Sequence, residues 1–238
     1  MVGTRIIPGP LETAAETTST AWIRSALHTT PCDVGMLVPD DFAAYARLLH
    51  RGDQHTATGT HPVRWAEVAR STGTRVHAHM QWDSIAPAVP WFEEPETGTL
   101  AVECAAALAV VLRQHTTTPE SCWFGIWHGK QPLRVPNHAP LARFALRDMY
   151  VLRGPVSGLT QNLAPEPHLS LPQLAWPEDR AWVMATDVDQ QSTYLAASLP
   201  CVEVILAHPE LETFRVGPTD SITAKSDRLN GPGGRATQ

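Results

Sequence analysis

The run Ala181-Trp-Val-Met-Ala-Thr-Asp-Val-Asp-Gln-Gln-Ser-Thr-Tyr-Leu-Ala-Ala-Ser198, approached through Leu174-Ala-Trp-Pro-Glu-Asp-Arg180, decides the fold. In Ala181 to Val188, apolar and small residues fall on both faces, the pattern of a strand covered on both sides. Asp189-Gln-Gln-Ser192 is turn material, and Thr193 to Ala197 reads as the return strand. Ser198 is placed to cap a helix that tolerates Pro200 in its first turn, with Leu199, Val202, Ile205 and Leu206 as the inward stripe.

Working outward, Cys122-Trp-Phe-Gly-Ile-Trp127 is a strand by length and aromatic content, with Trp123 and Trp127 on one face. Arg147 to Arg153 is a second alternating strand, ended by Gly154-Pro155, and the Pro-rich stretch 154–172 is a long irregular crossing. Thr99 to His115 is apolar almost all round, which predicts a buried central helix. Upstream, Trp22 to Leu27 predicts a short helix. Pro39-Asp-Asp followed by Phe42, Tyr45, Ala46, Leu48 and Leu49 predicts another over 40–50, and Val63 to Arg70 a third, closed by Gly73. Gln54 to Pro62 reads as a polar loop, and Phe214-Arg-Val216 as an edge strand. The expected fold is therefore α+β and a single domain. Its mostly antiparallel sheet of about four strands (122–127, 147–153, 181–188, 193–197) packs against helices at 99–115 and 199–208. Residues 1–20 and 227–238 read as flexible tails around a domain spanning 21–226.

Composition narrows the functional classes. With 43% apolar and 18% charged residues the chain is that of a folded protein, long enough at 238 residues to bury a core. Its net charge of −6, with Lys130 and Lys225 the only lysines and sixteen scattered arginines, argues against a nucleic-acid partner. The first residues hold no apolar signal core, and the run Leu100 to Leu112 is too short to cross a bilayer, so no membrane association and a cytoplasmic location are expected. Cys32, Cys104, Cys122 and Cys201 form no C-x-x-C pair and read as reduced thiols.

Candidate chemistry lies on the strands. Asp187 and Asp189 stand two apart at a strand end, a spacing that suits a cation site or an acid–base pair as well as a solvated hairpin end. His77 and His79 share a side if extended, without a recognisable metal motif, so no metal and no cofactor are expected. There is no G-x-S-x-G, no Walker loop and no dinucleotide-binding fingerprint. Trp123, Trp127, Tyr150, Trp176, Trp182 and Tyr194 all fall on or beside predicted strands. On one sheet face they would line a groove for a protein partner or a small apolar ligand, with Arg147, Arg153 and Arg180 as polar handles; otherwise they fill the core. Arg180 is expected to clamp the strand start by stacking on indole and pairing with Asp179, Asp187 or another acid.

Two resemblances attach to these residues. Cys122-Trp-Phe-Gly-Ile-Trp-His-Gly129, Trp176-Pro-Glu-Asp-Arg-Ala-Trp182, Asp187-Val-Asp189 and Thr193-Tyr194 are similar to a group of actinobacterial proteins of unknown function, over about Val34 to Asn230. Where those proteins often carry an acidic residue this chain has His128, and the resemblance implies no catalytic residue. Leu37-Val-Pro-Asp-Asp-Phe42 with its expected helix resembles the opening of the Smi1/Knr4-like superfamily, which includes toxin-immunity proteins. The leading expectation is a non-enzymatic binding or regulatory module using an aromatic sheet face. An enzyme built around Asp187 and Asp189, and an immunity-type protein, are the alternatives.

Overall fold

The computed structural model describes residues 9–29, 32–86, 89–129, 132–136, 138–144 and 147–231. In chain order these contain β1 (Glu12–Thr13), α1 (Ala21–Ala26), β2 (Ala44–Leu49), β3 (Gly52–Thr56), β4 (Gly59–Val63), α2 (Trp65–Thr72) and α3 (Trp82–Ile85). There follow β5 (Phe92–Glu93), α4 (Val102–Gln114), β6 (Cys122–Trp127), β7 (Leu141–Phe144) and β8 (Arg147–Gly154). The last elements are β9 (Leu174–Pro177), β10 (Trp182–Ala185), β11 (Ser192–Ala197), α5 (Leu199–Leu206) and β12 (Thr213–Val216).

The α+β class holds, but the sheet of about four strands is corrected. One antiparallel sheet has nine strands in the order β1-β8-β6-β9-β10-β11-β2-β12, with β7 also paired to β8; a second has three, in the order β4-β3-β5. The strands missed are short or unusual in composition. β2 was expected to be part of a helix, and its Ala, Leu and Arg suit a helix; pairing with β11 and β12 overrides that propensity. An apolar run buried on both faces has no period that separates strand from helix. The Smi1/Knr4-like opening accordingly lacks the helix expected of it. Gln54 to Pro62 is not a loop but most of the β3–β4 hairpin, polar because nearly all of it faces solvent.

Strict alternation divides the large sheet into two buried faces. Cys122, Phe124 and Ile126 of β6, with Trp182, Met184, Leu195 and Ala197, pack under α4 and α5. Trp123, Val151, Trp176, Val183, Tyr194 and Ala196 pack on the other face against Ile23 of α1, Leu27 just after it, Val34, and Phe144 of β7. α4 buries only one flank, and Val110 on its far side is 60% exposed. α5 starts where expected, after Ser198, although that side chain makes no capping bond. A third cluster joins Trp65, Val68, Met80, Trp82 and Ile85 beneath the small sheet.

Both expected tails are partly anchored. Leu11 is fully buried and β1 pairs with β8, while Asp227 and Asn230 are each 5% exposed. Apolar burial at Leu11 and polar bonding at Asp227 supply what low periodicity hid; residues 1–8 and 232–238 lie outside the described residues.

A buried guanidinium links the layers. Arg47, on β2, has Tyr194 and Phe214 as its cross-strand neighbours and is 3% exposed. Its Nε donates to Ser192 Oγ at 2.9 Å, and its Nη1 donates to the carbonyls of Ala78 at 2.8 Å and Met80 at 2.9 Å. The Trp65 ring lies 5.5 Å from its Cζ. Replacing Arg47 by Met leaves those carbonyls without a donor, and the single nitrogen of Lys cannot serve both them and Ser192 Oγ. We expect Arg47→Met and Arg47→Lys each to lose about 2–4 kcal/mol in urea unfolding. Two variants as stable as the parent would contradict this role.

Candidate functional site

The aromatic and charged residues singled out from sequence do not form one surface. The sheet register sends Trp123, Trp127, Trp176 and Tyr194 to one face and Tyr150 and Trp182 to the other. All are buried except Trp127, which is half-buried. Trp176 packs edge-on to Trp22 at 6.4 Å, and Trp182 Nε1 donates to Leu112 O at 3.1 Å, tying β10 to the end of α4. The expected aromatic groove is therefore core, because each ring is placed between the sheet and its covering layers.

Asp187 and Asp189 are brought together with Arg147, which donates to Asp187 through Nε and Nη2 at 3.1 Å each and to Asp189 through Nη2 at 2.5 Å. The guanidinium also sits 5.2 Å from the Trp127 ring. Hydrogen bonding to Asp187 raises Arg147 above its ordinary value. The single guanidinium bonds both carboxylates and competes with any cation for them, and the Asp187 part is a bidentate clamp. Arg180 does not pair with Asp179 or Asp187 as expected. It stands in the left-handed region at φ 56°, exposed, with its Cζ 4.9 Å from the Trp22 ring. Asp179 turns instead to Thr116 and Thr117, accepting two hydroxyls and one amide at 2.6–2.8 Å.

A different set of residues converges on a cleft of about 550 Å³. One wall is the segment before α3, carrying His77 and His79; the other is the loop after β12, carrying Asp220, Ser221, Lys225 and Arg228. Asp227 joins the two from beneath. Its side chain is fully buried and accepts from the amides of Gln81 at 3.2 Å, Leu229 at 3.1 Å and Asn230 at 2.8 Å, and from His77 Nε2 at 3.0 Å. Burial pushes this carboxyl up, but the bonds from Asn230 and Gln81 and the nearby imidazole together hold it below its ordinary value. Asn230 completes the join by pairing both ways with the backbone of Arg75, at 2.8 and 2.9 Å.

His77 spends both ring nitrogens on structure. Its Nδ1 accepts the His79 amide at 3.3 Å, so Nε2 carries the proton donated to Asp227. His79 stays 39% exposed, 3.9 Å from Asp220. Among the described residues neither Lys225 nor Arg228 has an ion-pair or hydrogen-bond partner, whereas Arg113, Arg143, Arg147 and Arg215 are each matched to a carboxylate. No group of three or more His, Cys, Asp or Glu is placed to hold a metal ion among the described residues. In sequence only the His77-x-His79 spacing pointed here, and the second wall fell partly within the expected tail.

A second cleft, of about 490 Å³, is lined by His50, Cys104 and four acidic residues. Neither possible nucleophile or base there is poised. Burial pushes the Cys104 thiol up. His50 is buried, and its pKa falls to about 4. Its Nδ1 donates to Glu96 O at 3.2 Å, so Nε2 accepts from Thr193 at 2.9 Å, and Thr193 in turn accepts from Thr186 at 2.6 Å.

No protein-family model, curated protein or solved structure matches the chain.

The buried imidazole sets a pH dependence. Below the ordinary value of 6.5 the unfolded chain takes up a proton that the folded chain refuses until about pH 4, so this stabilisation is complete above 6.5 and is lost on descent. We expect His50 to account for roughly 3 kcal/mol of the stability lost from pH 7 to 4, with His50→Gln flattening the curve there. Parallel stability curves for variant and parent would contradict it. For the join, we expect Asp227→Ala to raise amide exchange at Gln81 and Asn230 at least tenfold, and unchanged exchange would remove Asp227 from that role.

Proposed function

We propose that this chain is a non-enzymatic binding module that takes a small anionic ligand in the cleft between His79, Lys225 and Arg228. The observation that carries this reading is the convergence of two cations without carboxylate partners on one concave surface, in a chain whose net charge is −6. Asp220 lines the same surface beside His79, so Lys225 and Arg228 supply the positive charge there that is left to draw an anion. The volume, about 550 Å³, is within the range of small-ligand sites.

Both walls are held before any ligand arrives. Arg47 fixes the carbonyls of Ala78 and Met80. On the opposite wall, the amides of Val34 and Gly35 donate to Asp220 O and Pro218 O at 3.0 and 2.7 Å, and that of Ile222 to Cys32 O at 3.0 Å. A site fixed in this way saves much of the ordering cost of binding. An acid–base enzyme centred on Asp187 and Asp189 is disfavoured by the Arg147 fork.

No helix among the described residues is long and apolar enough to cross a membrane. A cytoplasmic setting is part of the proposal, supported by four cysteines that are all free thiols.

Calorimetric titration with inorganic phosphate, sulfate and acetate tests the reading. At least one should bind saturably at a single site. Lys225→Met/Arg228→Met should weaken that binding at least tenfold while melting with the parent, since both side chains are exposed. No saturable binding of any of the three at roughly 10 mM, or equal binding by the double variant, would overturn it.

A further inference from the structure

We infer that the anion taken by this cleft is a phosphate monoester carried on a polyhydroxyl body, a sugar phosphate rather than a carboxylic acid or a nucleotide; this rests on the anion-binding reading above. Three features of the lining separate these classes.

The first is the number of separate donors. Lys225, Arg228 and His79 offer an ammonium, a guanidinium and an imidazole on one cleft. A planar carboxylate carries one charge and is matched by a single guanidinium fork, as Arg147 matches Asp187 elsewhere in this chain. A tetrahedral phosphate carries close to two charges and three strong acceptor oxygens, which several donors from different directions can share.

The second feature is the hydroxyl content beside those cations. Thr219, Ser221 and Thr223 line the same wall, and Ser221 Oγ and Thr223 Oγ1 already bond each other at 3.0 Å. A hydroxyl that donates can also accept, so this wall offers both roles to a ligand's own hydroxyls. Asp220 adds an acceptor: one oxygen takes the Gly217 amide at 2.7 Å, while the carboxylate remains partly exposed.

The third is what the lining omits. Among the described residues Leu229 is its only aliphatic one, and no Trp, Tyr or Phe lines it. A nucleotide's base would have to stack on His79 or Arg228, the same groups that the phosphate needs. Trp123, Tyr150, Trp176, Trp182 and Tyr194 are instead placed in the core by the sheet register.

The test compares five probes by calorimetry on the full chain: glucose 6-phosphate, gluconate, inorganic phosphate, glucose and AMP. Glucose 6-phosphate should bind at least tenfold tighter than gluconate, phosphate, glucose or AMP. That preference should shrink at least tenfold in Lys225→Met/Arg228→Met, with the folded circular-dichroism spectrum retained. Gluconate equal to glucose 6-phosphate would overturn the phosphate assignment while leaving an anion site. AMP as the tightest probe would overturn the polyhydroxyl assignment in the same way. Phosphate binding as tightly as glucose 6-phosphate would show a site for the anion alone. If none of the five binds, this inference falls, and the result of the phosphate, sulfate and acetate titration then decides whether the anion-binding reading falls with it.

Discussion

The buried Arg47 guanidinium is the constraint around which this structure is arranged. A charge 3% exposed in the middle of a sheet is costly unless every donor finds an acceptor. Arg47 offsets that cost by giving Nε to Ser192 Oγ and Nη1 to the carbonyls of Ala78 and Met80, and so it draws the segment carrying His77 and His79 onto the sheet. The charge of Asp227 acts on it favourably, and Asp227 is the same carboxylate that receives amides from both walls of the cleft. Core, cleft floor and C-terminal segment are thus one polar system.

Around that centre the chain is packed in layers by alternation. Each long strand of the large sheet places one set of residues under α4 and α5 and the other against α1 and β7. Trp123, Trp176, Trp182 and Tyr194 are used up in those two layers. Exposed charge is left to loops at the edge, where Lys225 and Arg228 stand outside any ion pair among the described residues. The division is physical: a strand inside a doubly covered sheet has no free face, whereas the loops beyond β12 do.

How much of this could be read from sequence depends on how locally each feature is determined. β6, β8 and β11 follow from alternation and aromatic content, and α2 ends at Gly73, whose φ of 71° a glycine adopts without strain. β2 was hidden because Ala44 to Leu49 has no polar face. β1, β5, β7 and β9 have only two to four residues each, too few to show a period. Arg147, Asp187 and Asp189 were legible as a charged group, but not as partners across about forty residues. The cleft was the least legible part. Asp227 and Asn230 sit in a Gly/Pro-rich stretch that reads as a tail, and only their long-range bonds to Gln81 and Arg75 show that the segment is held.

Amide hydrogen exchange with and without glucose 6-phosphate tests most directly the claim that these two segments form one recognition site. Addition of the ligand should slow exchange in both 75–81 and 219–230, and leave 122–127 and 192–197 as they were. Slowing confined to residues around Arg147, Asp187 and Asp189, or no change in either wall, would contradict it.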